Sequence, residues 1–91
     1  MNNIRRDRLQ IINDILVSVR DKNGKIRPTH LLYKSNLAHN KMKLYVSELI
    51  EKELIKDGID DGKKYYFLTE KGIKFIEEYK KINHFVESFG L

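Results

Sequence analysis

The sequence predicts a single α+β domain that is mostly helical and ends in one long helix. Apolar residues recur at helical spacing in four segments of the chain. Two β-type runs flank a cluster of aspartates and glycines, which is typical of a hairpin. The length of 91 residues is sufficient for one domain. We expect residues 1–70 to form its body and residues 71–91 to form the helix that extends from it.

The first helix is predicted from Asp7 to Arg20. Two apolar stripes lie on adjacent faces of this segment, which indicates a helix wedged between two partners. One stripe contains Leu9, Ile12, Leu16 and Val19, and the other contains Ile4, Ile11 and Ile15. A turn is expected at residues 21–24, because Asn-Gly favours positive φ, and residues 25–27 are expected to form a short strand.

The second and third helices are short and are separated by a break at residues 36–38. Pro28 and Thr29 are expected to start the second helix, since proline suits a first turn and threonine is a good cap. This helix is expected to run to Ser35 and the third to span residues 39–52. The residues expected to face inward are Leu31, Leu32, Met42, Tyr45, Val46, Leu49 and Ile50.

Residues 54–56 and 63–68 predict a β-hairpin whose turn is the acidic, glycine-rich segment 57–62. Thr69 is expected to cap the last helix, and Gly90 is expected to end it. Two helices joined by a three-residue break and followed by a β-hairpin form a winged helix-turn-helix. Several other α+β folds contain a helix pair and a hairpin, and the short strand before the second helix narrows the choice of fold considerably.

Basic charge is concentrated in the N-terminal half of the chain. The net charge is +5, and residues 1–47 contain ten basic and three acidic residues, whereas residues 48–91 contain eight and ten. Such asymmetry indicates a face that meets a polyanion. On charge alone, a solvated basic surface is an equal alternative.

Several functional classes find no support in the residues. The chain has no cysteine, which excludes disulfides, thiolate zinc sites and a cysteine nucleophile. Its histidines, His30, His39 and His84, lack the spacing of a metal site, and no catalytic motif is present. We therefore expect no enzyme, no cofactor and no small-molecule ligand. No apolar run is long enough to span a membrane and no secretory signal is present, so a cytoplasmic, nucleoid-associated protein is expected.

The outward face of the third helix is predicted to contact double-stranded DNA in the major groove. Asn40 can pair with an adenine edge, and Leu44 can touch a thymine methyl group. The other candidates on this helix are His39, Lys41, Lys43 and Ser47, with the lysines on phosphates. Ordinary solvent exposure is the alternative interpretation of this face.

Two further segments are candidates for contacts with the DNA backbone. The N-terminus of the second helix can attract a phosphate through its N–H groups and dipole, and the candidates there are Arg27, Thr29, His30 and Lys34. In the hairpin, the candidates are Lys63 and Lys64. Asp57, Asp60 and Asp61 would repel the backbone, so contact by the hairpin is left open.

The last helix is predicted to form a homodimer. Its apolar residues are spaced by 4, 3, 4 and 3 positions, a coiled-coil-like seam of two heptads: Phe75, Tyr79, Ile82, Val86 and Phe89. A helix of about 20 residues is about 30 Å long, more than the body of the domain can cover. The alternative is that the helix folds back over the first helix, and both contacts can hold together.

The segment from Thr29 to Ala38, with residues 43–45 and 49–52, resembles the small archaeal winged-helix DNA-binding proteins. The segment from Tyr66 to Gly72 continues the match. The resemblance implies a chromosome-associated dimer formed by antiparallel pairing of C-terminal helices, with a recognition helix at 39–52 and a dimer seam at 75–89. Two positions depart from the family pattern: Ala38 stands where a capping serine is usual, and Glu53 where a helix-ending glycine is usual.

Two roles in DNA binding are compatible with these features. A transcriptional regulator is favoured because Asn40, Leu44 and Ser47 resemble base-reading residues, and a sequence-tolerant architectural protein of the chromosome is the alternative. Outside DNA binding, a winged-helix protein-interaction adaptor is the next alternative. RNA binding needs aromatic platforms, and it ranks last because Tyr65 and Phe67, which alternate on the hairpin, are expected to cover the core or the hairpin instead.

Overall fold

The computed structural model describes residues 7–91 and confirms the predicted order of elements. Three strands form one antiparallel sheet in the order β1-β3-β2. The elements are α1 Arg8–Arg20, β1 Lys25–Ile26, α2 Pro28–Ser35, α3 His39–Glu51, β2 Ile55–Asp60, β3 Lys63–Leu68 and α4 Glu70–Ser88. Within residues 7–91, no helix is both long and apolar enough to cross a membrane. The architecture is the winged helix-turn-helix that the sequence predicts.

The core is built around α1, which packs against α2, α4, β1 and β3. Its side chains at Ile15, Leu16 and Val19 are fully buried, so the prediction of a wedged helix is confirmed. The prediction for Leu9 is wrong, because this side chain is 52% exposed and burial on its stripe starts one turn later. Ile4 lies outside the described residues.

The N-terminus of α2 differs from the prediction by one position. Arg27 is the N-cap and makes no side-chain capping hydrogen bond, and Pro28 is the first helical residue. Thr29 is therefore not the cap. The physical reason is that proline, with its fixed φ and no N–H group, occupies the first helical position and moves Thr29 into the helix.

The hairpin is longer than predicted, and its turn is shorter. The strand β2 continues to Asp60, so residues 57–60 are strand and not turn. Only Asp61 and Gly62 connect the strands, with φ values of 54° and 74°, as a two-residue turn of the I′ type requires. Asp57 and Asp60 are accommodated in the strand because each carboxylate forms an ion pair with a lysine, Asp57 with Lys64 and Asp60 with Lys25.

The helix α3 keeps the predicted limits despite both departures from the family pattern. It begins at His39 after Ala38, which makes no side-chain capping bond. At its other end, Glu53 adopts a φ of 64°, a left-handed conformation that favours glycine. The N–H groups of Glu53 and Leu54 donate to the carbonyls of Ile50 and Leu49, which is the hydrogen-bond pattern of a Schellman motif.

Hydrogen bonds connect the start of α4 to the residues that follow α3. The Thr69 hydroxyl lies 2.7 Å and 2.9 Å from the carbonyl oxygens of Glu53 and Leu54, and it accepts a 3.0 Å bond from the N–H of Gly72. The predicted cap is thus confirmed. The Lys71 ammonium donates to the carbonyl of Lys52 at 2.7 Å. A Cβ atom at Gly72 would lie 2.3 Å from the Leu54 carbonyl oxygen, so only glycine fits there.

Replacing Glu53 with glycine is expected to stabilise the domain. Glycine removes the cost of the left-handed conformation, and part of this gain is offset by entropy of the unfolded chain, leaving about 0.5–1 kcal/mol. Thermal unfolding of Glu53→Gly should show a Tm higher by roughly 2–6 °C. The control is Glu77→Gly, the same change in the middle of α4, which should cost about 1 kcal/mol. Destabilisation by both variants to the same extent would contradict the assignment.

Candidate nucleic-acid interface

The outward face of α3 is polar, cationic and exposed over its first three turns. Met42, Val46 and Leu49 anchor the opposite face in the core. Because α-helical positions advance by about 100° per residue, this burial turns the residues between them outward. Those that the sequence predicts as contacts, His39, Asn40, Lys41, Lys43, Leu44 and Ser47, are all exposed, with Leu44 at 73%.

The N-terminus of α2 lies beside one flank of this face. Thr29 on α2 and His39 and Lys43 on α3 line one narrow groove of about 110 Å³. Arg27 and Lys34 are exposed, and His30 is half-buried. The fold therefore brings three of the predicted contacts around one groove, where the first N–H groups of α2 and the side chain of Lys43 can face the same anion.

The opposite flank of α3 contains an ion pair that the sequence did not reveal. Arg8, in the first turn of α1, donates a hydrogen bond to the carboxylate of Glu48. This hydrogen bond raises the pKa of Arg8, and it lowers the pKa of Glu48. Arg8, Lys41 and Leu44 line the same shallow depression. The pair offsets an acidic charge beside the predicted contact face.

The acidic residues of the hairpin are also paired. Asp60 accepts a hydrogen bond from Lys25, and this bond raises the pKa of Lys25. The Nζ atom of Lys64 lies 4.0 Å from the Asp57 carboxylate. Lys63 and Lys64 are both exposed, as predicted. Because the neighbouring lysines offset two of the three aspartates, the hairpin repels a phosphate less than the sequence indicates.

The predicted dimer seam divides into two parts at Tyr79. Phe75 packs against the core, and burial raises the pKa of Tyr79, with Asp7 and Asp14 as weaker causes. The first half of α4 thus covers α1, which was the alternative prediction. Beyond it, Ile82 is 61% and Phe89 is 66% exposed, with Val86 half-buried between them. The exposed side chain of Phe85 extends this apolar strip, its ring 4.9 Å from that of Phe89.

A family model described as winged helix-turn-helix matches residues 5–87. A protein of Methanocaldococcus jannaschii, MJ0290, is 31% identical over 81 residues, which cover 87% of this chain. The chain spans about a third of the length of that relative, since the match covers 35% of it.

Two solved structures show the same fold. Sso10a-2, a DNA-binding protein from Sulfolobus solfataricus, has a TM-score of 0.71 and 26% identity over 93% of this chain and 90% of its own. F93 from STIV, a winged-helix DNA-binding protein, also has a TM-score of 0.71, with 19% identity over 86% of this chain and 90% of its own. The second likeness concerns the fold alone.

The pairing of Arg8 with Glu48 is expected to appear in the titration of Glu48. In Arg8→Met, the pKa of Glu48 should rise towards its ordinary value, as followed by carboxyl carbon NMR. A group with a lowered pKa stabilises the fold above its unfolded pKa, near 4.3, and this contribution is lost as the pH falls through the folded pKa. The stability difference between the wild type and Arg8→Met should therefore vanish in acid.

A matched control for this titration is Arg20→Met, which removes an exposed arginine from the other end of α1. It should leave the pKa of Glu48 unchanged. An equal effect of both variants would mean that net charge, and not the contact with Arg8, sets the pKa of Glu48.

Proposed function

The chain belongs to the winged helix-turn-helix family, and from this premise we propose that it binds double-stranded DNA with α3 in the major groove. The single observation that carries the proposal is the exposed, cationic outward face of α3. The charge of this face favours the approach of DNA, because Lys41 and Lys43 lie on either side of Asn40, Leu44 and Ser47. Cationic flanks can hold the two phosphate backbones while the centre faces the bases.

The proposed contacts fall into two classes. Asn40 pairs with an adenine edge, Leu44 touches a thymine methyl group, and Ser47 adds a hydrogen bond to a base. The phosphate contacts come from Lys41 and Lys43, from the start of α2 at Arg27, Thr29, His30 and Lys34, from His39, and from Lys63 and Lys64 in the hairpin. The groove shared by α2 and α3 supports the second class, since it brings the phosphate candidates Thr29, His39 and Lys43 together.

The proposed active form is a homodimer in which the C-terminal helices pair antiparallel. The exposed apolar strip of α4 supports it, because burying each of Ile82, Phe85 and Phe89 contributes roughly 1.5–3 kcal/mol. In this proposal Val86 completes the seam in the second half of α4, and Phe75 and Tyr79 extend it into the half that covers α1. A dimer presents two α3 helices to half-sites about one DNA turn apart.

The proposed role is a transcriptional regulator associated with the nucleoid. Exposed side chains that can read base edges favour it over an architectural role, in which phosphate contacts alone suffice. Selection of bound fragments from a random duplex pool separates the two: a regulator enriches one motif with dyad symmetry, and an architectural protein enriches none. A protein-interaction adaptor would not bind duplex DNA and would therefore enrich no motif.

Duplex binding is expected to depend steeply on salt. With about four to six Lys/Arg–phosphate contacts per subunit, the slope of log K against log salt should be about −4 to −5 per subunit. Lys43→Ala should weaken binding to all duplexes and reduce the slope by about 0.9 per subunit, because one phosphate contact is lost. Fluorescence anisotropy between about 50 and 200 mM salt measures both quantities.

The control for this experiment is Lys80→Ala, which removes an exposed lysine from α4, away from the proposed interface. It should change neither the affinity nor the slope beyond a small effect of net charge. A flat salt dependence of the wild type, or equal effects of the two variants, would contradict the proposed contacts.

Ile82→Asp is expected to convert the dimer to monomers. The side chain is exposed in the single chain, so the substitution should leave the fold intact while placing a carboxylate in the apolar seam. Duplex affinity should then fall by at least tenfold, because the second subunit no longer adds to binding. Sedimentation equilibrium measures the mass. Ile59→Asp, the same change at a 70% exposed position of β2, should remain dimeric.

A further inference from the structure

The sheet has an outer face that points away from the helices. Ile26 and Ile55 are buried on the inner face, where Tyr66 and Leu68 pack against the same core. Because side chains alternate along a strand, the neighbours of these residues point to the other side. The register places these neighbours together on what we call the outer sheet face: Lys25, Lys56, Gly58, Asp60, Lys63, Tyr65 and Phe67.

Two aromatic rings lie at the centre of the outer sheet face, both on the middle strand β3. The ring centroids of Tyr65 and Phe67 are 6.1 Å apart, with their planes tilted by 51°. The Phe67 ring lies over Gly58 of β2. A Cβ atom at Gly58 would lie only 3.1 Å from this ring, so glycine leaves room for it. Both rings are half-buried, and each therefore retains an accessible portion.

Cations surround these rings. The Lys25 ammonium lies 4.7 Å from the centroid of the Tyr65 ring, and the Arg27 guanidinium lies 5.7 Å from it. Lys56 and Lys63 are exposed on the same face, on strands β2 and β3. Asp60 is the acidic residue of this face in the register, and it is paired with Lys25. The outer sheet face is thus aromatic at its centre and cationic at its edges.

We infer that the outer sheet face binds single-stranded nucleic acid, with bases stacked on Phe67 and Tyr65 and phosphates held by the surrounding cations. Duplex DNA is the weaker match, because its bases are stacked on one another and offer no ring face to the protein. Unpaired bases do offer one, and a cationic groove with aromatic side chains is the chemistry that captures them without regard to sequence. The site is distinct from the proposed duplex-binding face of α3.

The test measures binding of a fluorescein-labelled oligothymidylate of about 12 nucleotides, a length that such sites occupy. Phe67→Leu, which keeps an apolar side chain over Gly58 but removes the ring, should weaken binding by about fivefold or more. A random duplex should bind the variant within about twofold of the wild type, since duplex contacts use phosphates and base edges. Thermal unfolding of the variant verifies that it folds.

Two controls separate stacking from simple charge attraction. Tyr33→Leu removes an aromatic ring that is 85% exposed on α2, away from the sheet, and should leave oligothymidylate binding unchanged. An abasic oligonucleotide of the same length should bind the wild type at least as weakly as oligothymidylate binds Phe67→Leu, because it retains phosphates but has no bases to stack on either ring.

The inference is overturned if the wild type does not bind oligothymidylate, or if Phe67→Leu binds it as tightly as the wild type. It is also overturned if Phe67→Leu loses duplex and single-strand binding to the same extent, since one shared site would then explain both. Failure of the proposed duplex function has a different signature. In that case the wild type binds oligothymidylate, Phe67→Leu weakens this binding, and no duplex binds.

Discussion

The arrangement of the molecule depends on the junction where α3 ends, the hairpin closes and α4 begins. The hydroxyl of Thr69 and the ammonium of Lys71 satisfy carbonyls of residues 52–54 that the end of α3 leaves without helical partners. Gly72 lets the first turn of α4 approach the Leu54 carbonyl at a distance that no other residue allows. The directions of α3, the hairpin and α4 are therefore fixed at one point.

This junction sets the relative orientation of the surfaces that we propose for binding. The buried apolar core is formed mostly by residues of α1 and α3, with single contributions from the other elements, such as Ile26, Leu31 and Ile76. Every element thus uses one face for the core and has one face left outward. In the proposed dimer, α4 carries the orientation of α3 to the second subunit, because α3 ends and α4 begins at the same hydrogen-bonded cluster. The geometry of the junction then determines the distance between the two α3 helices of the proposed dimer.

Local patterns in the sequence were sufficient for the elements and for the outward face of α3. Apolar periodicity, the Thr69 cap and the Asn-Gly and Asp-Gly turns depend on neighbours within a few residues, and these are the signals that a sequence displays. Local reasoning erred where two local rules competed. Pro28 took the first helical position, so Thr29 lies inside the helix and is not the cap that was predicted. The aspartates of β2 suggested a turn, although Asp57 and Asp60 lie in a strand and are paired with lysines.

The parts of the site that the sequence did not reveal are pairings between distant residues. Arg8 and Glu48 are 40 positions apart, and Lys25 and Asp60 are 35 apart, so no spacing rule connects them. Both pairs reduce the repulsion of phosphates near the proposed interfaces, because each offsets an acidic residue. The neighbouring lysines can then attract phosphates.

The two proposed nucleic-acid surfaces are linked through their shared border. Arg27 caps α2 beside the duplex-binding groove, and its guanidinium also lies against the ring of Tyr65 on the outer sheet face. Lys63 lies at the tip of the hairpin and is a proposed phosphate contact of both surfaces. A cation that neutralises one phosphate is not available to another, because salt screens its attraction to charges more than roughly 10 Å away at 0.1 M ionic strength. The free energy of binding to both surfaces at once is therefore less favourable than the sum of the two separate binding free energies. The sheet would then compete with α3 for backbone contacts wherever a duplex opens into single strands.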